Sequence, residues 1–309
     1  MQVLVTPRSF GKHNPQLFDK LAQANLEVIR NDTGAILNEE TMIAKIKDCT
    51  GLIVGVDPVN KNVLDHAPKL QAIAKYGVGL DNIDLDECAK RNIKVSRTVG
   101  ANSNAVADYA LGLMLALARK IPQINTKCRQ KDWSKITSLD LFGKTLGIIG
   151  LGAVGKCVAK RAQGFDMNIL VYDVYQDQNY AKEHNLTYTD LDTLLQQSDV
   201  VTLHAQLTAD NHKMLDAAKL KLLKKTAILI NTARGDLVDE EALLALLKDG
   251  AIYGAGLDVF TTEPPADPAW YTLDNVVLGS HCSSSTIGAT ETMGEMATNN
   301  LLRDLNLAK

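Results

Sequence analysis

Short apolar runs alternate with longer stretches of helical period along almost the whole chain. Gln2–Val5 reads as a strand and Pro15–Ala24 as the helix after it, and Leu26–Ile29, Glu39–Lys47 and Gly51–Val54 repeat the alternation. Leu70–Lys75 and Lys94–Ser96 continue it as strands, with Asp84–Arg91 helical between them. Strands separated by helices of this length predict βαβ units and a parallel sheet. Ala105–Arg119 departs from the rhythm. Asn102, Ser103 and Asn104 offer capping oxygens there, and Val106, Ala110, Leu113, Met114 and Leu117 recur at helical spacing, which predicts a long buried helix. Ile121–Phe142 is polar and irregular, and reads as a domain junction with an arm suited to packing on a partner subunit. A second series of six strands follows, at Thr145–Ile149, Asn168–Tyr172, Val200–Leu203, Ala227–Asn231, Tyr253–Asp258 and Val276–Leu278, enough for a doubly wound sheet. Thr286–Leu307 is helical again and is expected to return to the first domain. The predicted fold is α/β: two Rossmann-like or flavodoxin-like domains, each a doubly wound parallel sheet, with an interdomain cleft.

Composition narrows the partners. The 309 residues leave room for two domains of ordinary size. Lys and Arg number 33 against 36 Asp and Glu, a net charge of −3, so the concentrated positive field that nucleic acid or an anionic membrane requires is missing. The densest apolar run, Tyr109–Ala118, is too short to span a bilayer, and the N-terminal residues lack the basic region and apolar run of a signal peptide. Five cysteines without a CxxC pair argue against a disulfide framework or a structural zinc, and for a reducing cytoplasm. The expected partner is a small molecule, with no metal, no nucleic acid and no membrane.

Gly150-Leu151-Gly152-Ala153-Val154-Gly155 fits G-x-G-x-x-G, follows the apolar strand Leu146–Ile149 and opens a helix expected at Val154. Glycines in that setting form a tight turn and bring backbone N–H groups to a pyrophosphate at a helix N-terminus. The next strand ends in Asp173, 173 − 155 = 18 positions beyond the last glycine. An acid there accepts from the adenosine ribose hydroxyls and repels a 2′-phosphate. Val174 and Tyr175 follow it with no Arg, so NAD is favoured over NADP.

Three later strand ends carry Arg234, Glu263 and His281. Open α/β sheets bind ligands at such ends. Hydride chemistry on a ketoacid needs a cation for the substrate's carboxylate and carbonyl, which the Arg fork supplies. It also needs a group that gives and recovers a proton near neutral pH, which suits His, and a carboxylate beside that His favours its charged form.

These residues together resemble the D-2-hydroxyacid dehydrogenases. The likeness runs through Lys75-Tyr76-Gly77-Val78-Gly79-Leu80-Asp81-Asn82-Ile83-Asp84, Val106-Ala107-Asp108, Gly147–Gly152, Asn231-Thr232-Ala233-Arg234-Gly235, Gly256–Phe260, Glu263-Pro264 and His281. The resemblance implies that Arg234 holds the substrate, that His281 is the acid/base and that Glu263 is its partner. It implies that backbone N–H groups around Val78 and Gly79 bind the carboxylate. Asp258 would orient the nicotinamide carboxamide, and His204, Ala205 and Thr232 would line the cofactor groove. It implies a substrate domain of residues 1–98 plus 286–309, an NAD-binding domain of 99–285, and a homodimer.

Within the family the opening Thr6–Gly11 and Gly100-Ala101-Asn102 look most like the phosphoglycerate dehydrogenase branch, which makes 3-phosphoglycerate and 3-phosphohydroxypyruvate the expected pair. Gly55, however, stands where many such enzymes carry a phosphate-meeting Arg, and Arg8 is the alternative cation. A glyoxylate/hydroxypyruvate-type reductase and a non-enzymatic NAD-sensing corepressor-like protein are the rival readings. Other departures are Asp108 in place of the usual Glu, Gln206 in place of Pro, Ser280 in place of Pro, and Cys282-Ser283-Ser284-Ser285 after the His. On an extended chain Cys282 would point away from His281, which predicts a thiol outside the chemistry.

Overall fold

A computed structural model describes residues 1–308, which divide into two compact units: Met1–Asn102 with the chain from Ser285 onward, and Ser103–Ser284. The first division lies after Asn102, where a helix begins, rather than after residue 98.

The first unit is a five-stranded parallel sheet of β1 (Gln2–Val5), β2 (Glu27–Arg30), β3 (Cys49–Val54), β4 (Ala72–Lys75) and β5 (Lys94–Arg97), in the order β2-β1-β3-β4-β5. β4 is buried throughout, and Leu4, Leu52, Ile53 and Ile73 sit at 0% exposure, as expected where helices cover both faces. Asn38 and Asp84 cap the helices Glu39–Ile46 and Leu85–Lys90 by accepting from Thr41 N and Glu87 N. The helix Ile287–Asp304 packs on β3, β4, β5 and the helix Gln16–Gln23, with Gly294 against Leu17.

The second unit holds seven parallel strands: β6 (Thr145–Ile149), β7 (Asn168–Tyr172), β8 (Leu186–Tyr188), β9 (Val200–Leu203), β10 (Ile228–Asn231), β11 (Gly254–Leu257) and β12 (Val276–Leu278). Their order is β12-β11-β10-β9-β6-β7-β8, so the winding reverses at β6 and opens the sheet's ligand crevice between the ends of β6 and β9. The helix Ser103–Ala118 lies on one face. Its Leu113 and Leu117 approach Gly254 and Gly256, positions where a larger residue would hold it off. Leu194, Leu203, Leu229, Leu243 and Leu257 fill the other face.

The sheet has seven strands where six were expected. β8 is three residues long at the sheet edge, and only Leu186 of it is buried, so no run of apolar positions announces it. Ile121–Phe142 is not irregular throughout, because Ile121–Arg129 forms a helix with no buried residue. Its few apolar positions, Ile121, Ile124 and Cys128, are exposed beside Pro122 and polar neighbours, a weak helical signal. Among the described residues no helix is long and apolar enough to cross a membrane.

Candidate active site

The glycine turn joins β6 to the helix Ala153–Ala162, which opens one residue before the expected Val154, with Gly152 at its N-cap. Gly150 has φ +96°, and a Cβ on it would lie 2.6 Å from Ala205 N and 2.8 Å from the His204 carbonyl carbon. A Cβ on Gly155 would run into the Gly150 carbonyl oxygen. Both glycines are therefore required by sterics. Gly152 and Ala153 are exposed, Val154 is half-buried and Gly155 is buried, so the helix N-terminus faces solvent at the crevice. Asp173 closes the turn from the end of β7. One carboxylate oxygen accepts from Leu151 N at 2.6 Å and the other from Tyr175 N at 2.9 Å.

Across the crevice His204 follows β9, its Nε2 2.9 Å from Thr202 Oγ1. The residue is half-buried, and burial pushes its imidazole below the ordinary value, so the ring stays neutral. Thr232, after β10, buries a hydroxyl that finds no hydrogen-bond partner. Buried polar atoms are rarely left this way, which points to a ligand as the missing partner. The cradle without Cβ atoms, the exposed helix N-terminus and the unmatched hydroxyl fit a bound NAD.

Beyond β10 the backbone turns through Arg234. Asn231, 1% exposed, fixes that turn: its Nδ2 donates to Arg234 O at 2.8 Å and its Oδ1 accepts from Ala233 N at 3.0 Å. A guanidinium N–H of Arg234 donates to Ala233 O at 2.7 Å. A Cβ on Gly235 would run into the Phe260 and Thr261 backbone, so this turn packs against the segment leading to Glu263. Phe260 N in turn donates to Glu263 Oε1 at 3.1 Å.

His281 faces Glu263, with Nδ1 2.9 Å from Oε2 and 3.1 Å from Oε1. A carboxylate only accepts, so Nδ1 carries the proton and Nε2 is the nitrogen left for a substrate. Burial pushes the Glu263 carboxyl up, but the hydrogen bond and charge of His281, the Phe260 N–H and the Arg234 charge outweigh it, and the net direction is down. His281 has φ +55°, a left-handed conformation that costs a non-glycine residue about 1–2 kcal/mol. The backbone here is thus a turn and not the extended chain expected. Cys282 Sγ lies 3.4 Å from Tyr109 Oη and 3.6 Å from Asp258 Oδ1. Burial, and then the Cys282 contact, push the Tyr109 phenol well above its ordinary value.

The structure thus gathers Arg234, Glu263 and His281 at the ends of adjacent strands of the second unit. Val78 and Gly79 lie in the other unit, in the loop after β4. Gly77 N there donates to Thr98 Oγ1 at 2.9 Å, and the buried Lys75 donates to Gly55 O at 2.6 Å. Asp258 follows β11 in the second unit. It is 0% exposed, and both carboxylate oxygens accept from the backbone of the segment after His281. Asn231 and Tyr109 were missed. An amide ending the apolar strand Ile228–Asn231 was the available signal for the first, and nothing local marks the second.

Residues 111–283 match the NAD-binding domain of the D-isomer-specific 2-hydroxyacid dehydrogenases. A glyoxylate reductase of Korarchaeum cryptofilum is 41% identical over 273 residues, covering 86% of this chain and 82% of that protein. One from Pyrococcus horikoshii is 40% identical over 298 residues, 93% of this chain and 89% of its own length. Among solved structures, the TT0316 protein of Thermus thermophilus superposes with a TM-score of 0.91 at 37% identity, over 100% of this chain and 98% of that one. A glycine cradle shaped for NAD, with an Arg, a Glu–His pair and this likeness along the chain, lead to one conclusion: the chain belongs to the D-isomer-specific 2-hydroxyacid dehydrogenases, NAD-dependent oxidoreductases acting on CH–OH donors.

Proposed function

We propose that this dehydrogenase reduces a small, unphosphorylated 2-ketoacid of the glyoxylate or hydroxypyruvate class to its D-2-hydroxy acid. The observation that carries the chemistry is the Glu263–His281 pair at 2.9 Å, which leaves a protonated imidazole's Nε2 free to donate. The substrate class is supported by relatives at 40–41% identity named glyoxylate reductase. The phosphoglycerate reading loses ground on the same count. Gly55 brings no cation for a phosphate, which leaves that reading resting on the exposed Arg8.

In this reading Gly150, Gly152, Ala153, Val154 and Gly155 hold the cofactor's pyrophosphate and Asp173 its ribose hydroxyls. His204, Ala205 and Thr232 line the rest of the groove. When bound, the reduced nicotinamide supplies the hydride for the substrate's second carbon. Arg234 grips the carboxylate and polarises the carbonyl, and the family resemblance assigns carboxylate contacts to the backbone N–H groups of Val78 and Gly79. His281 Nε2 gives its proton to the developing alkoxide and takes another from solvent, while Glu263 stabilises the imidazolium. Ketoacid, NADH and one proton become hydroxy acid and NAD⁺. Oxidation runs the same steps backwards.

In the same reading, the Ser103–Ser284 unit is the cofactor domain and the remainder the substrate domain of a cytoplasmic enzyme. Ile121, Trp133 and Phe142, apolar residues of the arm, are exposed, Trp133 at 82%, as residues that a second copy would cover in a homodimer. NADH oxidation against glyoxylate, hydroxypyruvate, pyruvate, 3-phosphohydroxypyruvate and a branched 2-ketoacid tests the proposal. The highest kcat/KM should fall on glyoxylate or hydroxypyruvate. Preference for the phosphorylated compound overturns the substrate class, and NADH binding without turnover of any compound overturns the catalytic reading.

A further inference from the structure

His281 sits in a left-handed turn that its own side chain does not favour, so something else must hold the turn. The surrounding hydrogen bonds identify it. His281 N donates to Asp258 O at 2.8 Å, Cys282 N to Asp258 Oδ1 at 3.0 Å and Ser283 N to Asp258 Oδ2 at 2.8 Å. Three successive backbone N–H groups therefore converge on one residue, which is 0% exposed at the end of β11. The Cys282 thiol adds a fourth contact and also reaches Tyr109 Oη, on the buried helix Ser103–Ala118. Gly279 completes the arrangement. A Cβ there would run into Asp258 Oδ1 and lie 2.7 Å from Tyr109 Oη, so the chain passes directly over the carboxylate.

We infer that Asp258 is a positioning residue: its buried carboxylate clamps the backbone on the C-terminal side of His281 and so presents the imidazole Nδ1 to Glu263. The inference rests on the acid/base reading of His281 for its consequence in turnover, but not for its geometry. A carboxylate is well suited to the task because it accepts two backbone N–H groups at once. An amide accepts only one and turns an NH₂ towards the other. The two bonds to the carboxylate run from backbone N–H groups, and the Cys282 thiol adds its own contact to one of the same oxygens.

The test compares wild type with Asp258→Asn. In cofactor-free protein, the hydrogen-bonded His281 Nδ1 proton should give a downfield NMR signal that disappears in the variant. NADH affinity, followed by fluorescence, should change less than about twofold, while kcat falls about tenfold or more with the ketoacid KM nearly constant, the mark of an interaction made in the transition state. Gly279→Ala reaches the same clamp by displacing the carboxylate without removing it. It should reproduce the pattern, and it serves if Asp258→Asn fails to fold. Retention of the Nδ1 signal in the folded variants overturns the positioning role, as does a tenfold loss of NADH affinity with kcat intact, which would mark direct cofactor contact. Loss of the signal with unchanged kcat supports the positioning role and refutes instead the acid/base reading of His281.

Discussion

Glu263→Gln isolates what the negative charge beside His281 contributes. The amide oxygen can still accept the Nδ1 proton, so the tautomer and ring orientation survive while the charge is lost. A hydrogen bond to a charged partner contributes about 1.5–3 kcal/mol. The His281 and Glu263 side chains are 40% and 38% exposed, and solvent screening places the loss at or just below the lower end of that range. A value of about 1.4 kcal/mol corresponds to a rate loss of about tenfold. The sign with pH follows from the charge. In the wild type the lowered Glu263 pKa keeps the carboxylate ionised through neutral pH, and the pair is lost only as pH falls through that depressed value. In the variant no carboxylate stands there at any pH, so the deficit should hold through neutral pH and close only as pH falls through that depressed value. Steady-state NADH oxidation from neutral pH downward, with melting curves to establish folding, measures it. A deficit below about twofold at neutral pH, or one that persists in full below the carboxylate's depressed value, refutes the reasoning.

Asp173→Ala removes the acceptor of Leu151 N and the charge facing a 2′-phosphate. NADH Kd should rise about tenfold and the preference over NADPH should shrink, and an unchanged Kd by fluorescence titration counts against the assignment. Burial, with the nearby Asp48 and Asp84 charges, pushes the Cys49 and Cys88 thiols from 9.0 up to about 11. Raised thiol values favour the folded state below about pH 9 and stop doing so as pH rises towards 11, so urea midpoints should fall across that window. The fall should be smaller in a Cys49→Ala, Cys88→Ala variant. Trp133→Ala combined with Phe142→Ala should shift sedimentation towards monomer at micromolar concentration, and an unchanged sedimentation coefficient rules this face out as the dimer contact.

The strands of both sheets were legible because most are continuous apolar runs, and β1, β6, β7, β9 and β12 fall on their expected residues. What escaped was structure that buries little: the three-residue edge strand β8, and the helix Ile121–Arg129 with no buried residue. At the site, the glycine cradle and Asp173 could be read locally, because their chemistry is written into spacing along one βαβ unit. The roles of Asn231 and Tyr109 could not, because each acts through contacts set by the tertiary fold. Tyr109 meets a cysteine far along the chain, and Asn231 binds backbone atoms that any residue would supply.

The same distinction explains how this chain departs from its family's usual residues around His281 while keeping His281 against Glu263. Ser280 and the run Cys282–Ser285 replace a more usual proline and apolar stretch, yet the turn is held by Asp258 through backbone N–H groups that every residue except proline carries. The hold on the turn therefore comes first from the backbone at 282 and 283, with the Cys282 thiol adding to it. Proline is the replacement excluded at both sites, since it would remove the donor the carboxylate needs. Substitutions that keep the donor can alter the surroundings of the acid/base without moving it. On this inference the His281 imidazole is held from beneath by one buried carboxylate, whichever donor-bearing residues stand at 282 and 283.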